Sequence, residues 1–206
     1  MKLLLLGATG RVGQHLLKLA LAEGHEVTAL VRAPDKLPQA EERLTIIEGN
    51  VLEAAKLMAA TQGADAVLSA LNTDGGELLS QAAPLLIETM NQCGMKRIIT
   101  IGTAGILDST AEPGLLRYQS SESRRTLTRA AEEHHRFYLA LAQSGLDWTI
   151  VCPTYLPDGE YTGVYRIARN RLPEEGKQIS VPDTAEFAFQ QLQSTDFLAA
   201  RVGIAY

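Results

Sequence analysis

The sequence predicts an α/β fold: a doubly wound parallel sheet with helices on both faces and a short C-terminal substrate region. Three observations predict it. Short apolar runs alternate with longer amphipathic stretches along most of the chain. The runs are continuously apolar rather than alternating, as strands covered on both faces are. The first run turns into the first helical stretch through Gly7-Ala8-Thr9-Gly10-Arg11-Val12-Gly13. At 206 residues, the chain reads as a single domain over 1–206.

The elements follow in order. Strands are expected at 2–6, 26–31, 44–47, 66–70, 97–101 and 148–151, with helices near 11–22, 54–61, 77–92 and 123–144. Gly24, Gly63, Gly94 and Gly145 each close a helical stretch, as stop signals do. Right-handed crossovers then give strand order 3-2-1-4-5-6, the Rossmann-like arrangement. Beyond residue 151 the pattern loosens. Residues 152–182 hold four prolines and three glycines and read as substrate-side loops with one strand around 163–168. Asp183 or Thr184 can cap a last helix through Leu192, and a terminal strand at 200–205 joins the sheet.

Composition narrows the function. A formal net charge of −5 argues against a general nucleic-acid or acidic-membrane binder. No apolar run approaches the ~20 residues of a membrane span. Cys93 and Cys152 have neither metal-ligand nor disulfide spacing, so a reducing cytoplasm and two small buried apolar residues are expected. No metal site is legible.

The glycine turn has the order that a dinucleotide pyrophosphate requires. Gly7 turns the chain off the strand, Gly10 clears a path to the phosphates, and Gly13 lets helix and sheet pack closely. The amides around Thr9, Arg11 and Val12, with the helix dipole, then face the anion. The second strand ends at Arg32 instead of the carboxylate that binds a ribose 2′-hydroxyl. A guanidinium there suits a 2′-phosphate, with Lys36 and Arg11 adding charge and Asp35 opposing it. NADP(H) is therefore preferred, with NAD(H) the alternative. Asn50 and Val51, after strand three, fit an adenine edge; a turn capped by Asn50 is the other reading. Ala70, Leu71 and Asn72 end strand four beside the phosphates and ribose.

Together these residues resemble the short-chain dehydrogenase/reductase superfamily, in its atypical NmrA-like form. The chain is most similar to the biliverdin-IXβ reductase/flavin reductase group. The matching segments are Gly7–Gly13, 26–32, 49–52, Ser144-Gly145-Leu146 and Thr162-Gly163-Val164-Tyr165. The resemblance implies that Arg32 and Lys36 hold the 2′-phosphate. It puts Thr103 in place of the active-site Ser, His134 along the cofactor, and Pro153 and Tyr155 beside the nicotinamide. Three residues depart from the group: Tyr155 replaces a His, Asn50 an Asp and Asp74 an Arg. The missing His and Arg move the expected acceptor from biliverdin toward free flavin.

Ordinary members relay protons through Tyr-x-x-x-Lys, in which lysine lowers the tyrosine pKa. No tyrosine here has a lysine four residues on. A flavin dispenses with that relay, because its ring accepts hydride directly. The expected function is NADPH-dependent reduction of FMN or riboflavin, stacked on the nicotinamide as substrate, with Thr103, Tyr155 and His134 around it. Quinone reduction fits the same open site. The competing class is a non-catalytic NADP(H) sensor of the NmrA-like type. A nucleotide-sugar epimerase needs the missing tyrosine–lysine pair and a larger C-terminal domain. The expected partner is a small molecule, with the protein a monomer or weak homodimer. The run Arg124, Arg125 and Arg129 reads as a solvated helical face that can also attract anionic groups.

Overall fold

The computed structural model describes residues 1–73, 75–123 and 126–206. Asp74, Arg124 and Arg125, and the roles expected of them, lie outside the described residues. In chain order the elements are β1 (Lys2–Leu6), α1 (Arg11–Ala22), β2 (Glu26–Val31), β3 (Leu44–Glu48), α2 (Ala54–Thr61), β4 (Ala66–Ser69) and α3 (Leu78–Gln92). They continue with β5 (Arg97–Ile101), α4 (Arg129–Ala142), β6 (Asp147–Pro153), β7 (Arg166–Arg169), α5 (Val181–Gln190) and β8 (Ala200–Ala205). Short 3-10 turns stand at Pro34–Lys36, Ala104–Ile106 and Arg117–Gln119.

The sheet order is β3-β2-β1-β4-β5-β6-β8-β7, which contains the expected 3-2-1-4-5-6 and extends it. Every pairing is parallel except that of β7 with β8. The leucine run of β1 explains why no alternation shows in the sequence. Leu3 and Leu5 enter the core beneath α1 and α5, while Leu4 and Leu6 enter the one beneath α2, α3 and α4. Each face is dry, so both side-chain sets are apolar. Trimming Leu5 to Ala costs about 2–5 kcal/mol through the void it leaves.

Several boundaries differ from expectation, mostly by one or two residues, and three of the differences have a clear cause. The helix expected over 123–144 starts at Arg129, where Thr128 stands at the N-cap and its hydroxyl donates to Glu132 (2.7 Å). The late strand is confined to Arg166–Arg169, because only there does the chain pair with β8. The cap of α5 is Ser180, with Pro182 in the first turn, and not Asp183 or Thr184. Ser180 Oγ accepts the Asp183 amide (3.2 Å). The fully buried Asp183 carboxylate instead accepts the amides of Thr162 and Gly163 (both 2.9 Å) and the Tyr206 hydroxyl (2.5 Å). It thereby fastens the 162–163 turn and the last residue of the sequence to α5.

A second buried carboxylate joins two helices. Glu133 of α4 accepts from the Ser80 amide (3.1 Å) and Ser80 Oγ (3.0 Å) in the first turn of α3. A negative charge there complements the positive end of the α3 dipole. Burial raises the Glu133 pKa, but the Ser80 bonds and Arg136 outweigh it and hold the carboxyl below its ordinary range.

Candidate functional site

The carboxyl ends of β1 to β6 share one edge of the sheet, and the residues just beyond them line two consecutive cavities. The first cavity, about 260 Å³, spans the ends of β1, β2, β3 and β4. Gly7, Thr9 and Gly10 form one wall, and Arg32, Asn50, Val51, Ala70, Leu71 and Asn72 line the rest. Arg32 is exposed. Lys36 is exposed on the following 3-10 turn and stands outside the wall.

Asn50 is shown as the turn cap, at the edge of the first cavity: its Oδ1 accepts the Leu52 amide (3.0 Å). Asn72 similarly accepts the Thr73 amide (2.8 Å) while lining the cavity. The amides of Arg11, Val12 and Gly13 precede the first bond of α1, from the Gln14 amide to the Gly10 carbonyl (2.9 Å). The Arg11 side chain turns away from β2. Its Nη1 donates to the Leu156 carbonyl (2.9 Å) and pairs with Asp158 (3.0 Å).

The second cavity, about 320 Å³, lies beyond β5 and β6. It brings together Thr103, Pro153 and Tyr155, as expected, with Thr154, Tyr118 and Lys177. Tyr155 is 64% exposed, so it offers a ring to the opening instead of packing over the sheet edge. Thr103 Oγ1 accepts the Gly105 amide at 3.4 Å, a long bond. The wall also carries the Arg117–Glu122 ion pair (2.7 Å).

His134, like Lys36, is a predicted site residue that lines neither cavity. It is buried in α4. Burial pushes its pKa down to about 4 against the opposing charge of Glu133, so the imidazole is neutral at pH 7. Cys152 is fully buried, and burial pushes its thiol up to about 12. Cys93, expected to be buried, is half-buried at the end of α3.

A family model described as NAD(P)H-binding matches residues 7–195. The chain belongs to this NAD(P)H-binding family. Among its relatives is the uncharacterized protein YwnB of Bacillus subtilis (strain 168). It is 27% identical over 201 residues, covering 95% of this chain and 92% of YwnB. A candidate epimerase from Bacteroides thetaiotaomicron is 30% identical with a TM-score of 0.87, over 100% of this chain and 96% of that one. A candidate NADH-flavin reductase from Streptococcus pneumoniae TIGR4 is 26% identical with a TM-score of 0.80, over 100% and 99% of the two chains. The last two carry different activities in their names, so the shared fold alone does not set the reaction.

The geometry fits the family's nucleotide at two points. Gly7 (φ +76°) and Gly13 are required by the fold, since added Cβ atoms would lie 2.5 Å from the Ala70 carbonyl oxygen and 2.0 Å from the Gly7 carbonyl oxygen. Gly10 is different. A Cβ there would meet only the Gly7 carbonyl oxygen, at 3.3 Å. That one contact is tight, but no second one is made, and a pyrophosphate of the family's nucleotide would find room there to approach the amides. In the second cavity, Thr154 Oγ1 is buried without a hydrogen-bond partner among the described residues. Such an orphan suits a carboxamide of the nucleotide's nicotinamide end. Sequence reasoning missed Thr154, although it lies between the two residues singled out there. It also missed Tyr118 and Lys177, which only the tertiary fold brings to the cavity.

Proposed function

We propose that this protein is an oxidoreductase that uses NADPH to reduce a planar acceptor, a free flavin such as FMN or riboflavin. The carrying observation is the pair of consecutive cavities on one sheet edge, one holding the glycine turn and Arg32, the other open beside Tyr155. NADPH supplies the hydride. The amides at Gly10 to Gly13 bind its pyrophosphate, Arg32 the 2′-phosphate and Val51 the adenine face. Lys36 adds charge at the rim. Pro153 and Thr154 hold the nicotinamide end, and Tyr155 and Thr103 position the acceptor. His134, neutral and buried, lies outside both cavities and takes no direct part. Placement of two flat rings in contact is most of the catalytic requirement.

No helix among the described residues is long and apolar enough to cross a membrane. The protein acts in the cytoplasm on a small molecule, as a monomer or weak homodimer. The test is NADPH oxidation by the purified chain with FMN, riboflavin and menadione as separate acceptors. Saturable oxidation with a flavin supports the reading. Tight NADPH binding without turnover on any acceptor replaces it with a non-catalytic sensor.

A further inference from the structure

One hydrogen-bonded pair at the second cavity has no part in the scheme above. Tyr118 lines the cavity, and its hydroxyl lies 3.0 Å from His135 Nδ1 on α4. Gln119 Nε2 donates to the same phenol oxygen (3.3 Å). The His135 ring is stacked on Tyr138 at 6.2 Å, and the Arg201 guanidinium lies over the Tyr138 ring at 4.5 Å. Asp108 pairs with Arg201 at 2.7 Å, holding that cation in place. The chain thus has a fixed phenol–imidazole pair at the acceptor cavity, although it lacks the tyrosine–lysine relay.

We propose that Tyr118 donates a proton to an acceptor oxygen and that His135 positions and reloads it. The substrate class then includes quinones and conjugated carbonyls, whose reduced oxygen needs a proton. This rests on the NADPH-dependent reading given above. Once the acceptor has gained a hydride, its oxygen carries the electron pair. The Tyr118 O–H bond breaks and a new O–H bond forms on that oxygen. The phenolate recovers the Nδ1 proton of His135 as Nε2 takes one from solvent, and proton exchange with water then returns the neutral imidazole to its Nδ1–H tautomer. The sum is NADPH plus acceptor plus one proton, giving NADP⁺ and the doubly reduced acceptor.

The surrounding charges suit these states. Burial, then Glu132, raises the Tyr118 pKa, against weaker opposing effects from Gln119 and Arg136, so the phenol keeps its proton. Burial, then the Arg201 charge, lowers the His135 pKa, so the imidazole stays neutral. Arg117 and Glu122 on the same wall neutralise each other.

The experiment compares menadione, which needs the proton, with FMN, whose reduced ring can remain anionic. Tyr118→Phe and His135→Gln are measured beside the parent protein across pH 6 to 8, with NADPH affinity and Tm as folding controls. Tyr118→Phe should lower kcat for menadione about 100-fold, the size of a lost general acid, with KM little changed. Its remaining rate should fall as pH rises, because solvent then supplies the proton. His135→Gln should fall by a smaller factor in the same direction, and FMN reduction should fall at least about tenfold less than menadione reduction in Tyr118→Phe. In the free protein, nitrogen NMR should show His135 neutral at pH 7 with Nδ1 hydrogen-bonded, a signal that moves in Tyr118→Phe. Equal loss on both acceptors, no loss on menadione, or a parent protein active on FMN alone overturns the proposal and leaves the reductase reading standing. A parent protein inactive on every acceptor overturns the reductase reading and the proposal with it. If Tyr118→Phe does not fold, the menadione rate and pH profile of His135→Gln decide alone.

Discussion

Arg11 Nη1 lies 3.0 Å from an Asp158 carboxylate oxygen, joining the first turn of α1 to the loop beyond β6. Both side chains are more than half exposed. Exposed pairs of this kind contribute on the order of 0.5 kcal/mol. Asp158→Asn should therefore shift Tm by no more than about 2 °C. Its effect should appear in nucleotide release, since the tie crosses between the phosphate turn and the acceptor-side loops. Stopped-flow displacement of NADPH should show faster dissociation, and an unchanged off-rate sets the tie aside.

The three glycines of the turn should separate folding from binding. Gly13→Ala forces a carbon into the Gly7 carbonyl. Overpacking of that kind costs about 1–3 kcal/mol, visible as a lower Tm. Gly10→Ala meets the Gly7 carbonyl oxygen at 3.3 Å instead of 2.0 Å, so it should lose less Tm than Gly13→Ala and lose NADPH affinity in calorimetry. Equal affinity in Gly10→Ala and the parent chain would remove the pyrophosphate from this position.

Arg32 should set the choice of nucleotide. A charge-assisted bond to a 2′-phosphate is worth about 1.5–3 kcal/mol, or roughly 10- to 100-fold in Kd. Arg32→Ala should weaken NADPH by that factor and leave NADH within about twofold. Lys36→Ala, outside the cavity wall, should have the smaller effect. Fluorescence titration of the parent chain and the two variants with both nucleotides measures all six constants, and parallel losses for NADPH and NADH count against the assignment.

His134 makes stability depend on pH in a defined direction. Its folded pKa of about 4 lies below the ordinary 6.5, so the unfolded chain binds more protons between those values. Stability therefore falls as pH drops from about 6.5 toward 4, by an amount on the order of 2–3 kcal/mol. His25 and His135, also lowered, act in the same direction. Urea unfolding across this range should show a flatter profile for His134→Gln than for the parent chain. Identical slopes would mean that His134 titrates normally.

The sequence revealed the scaffold because its signals are local. The β1 leucines, the glycine turn and Arg32 each state their role within a few neighbours, and the structure puts them on the expected edge. Partners far apart in the chain were not legible. Tyr118 and His135 are 17 residues apart, on different elements, and Arg11 meets Asp158 across 147 residues. No periodicity encodes such meetings. The α5 cap was legible in principle: Ser180 followed by Pro182 and Asp183 is a first-turn pattern. Asp183 drew attention as a capping type while its carboxylate was serving Thr162, Gly163 and Tyr206.

Hydride passage between the two cavities is tested most directly with NADPH deuterated at C4, prepared separately in each of its two stereochemical forms. Single-turnover reduction of riboflavin should slow by at least about twofold with one form and remain unchanged with the other, because a fixed ring presents one face. Riboflavin reduction indifferent to both labels, or no reduction by a protein that binds NADPH, would contradict the account.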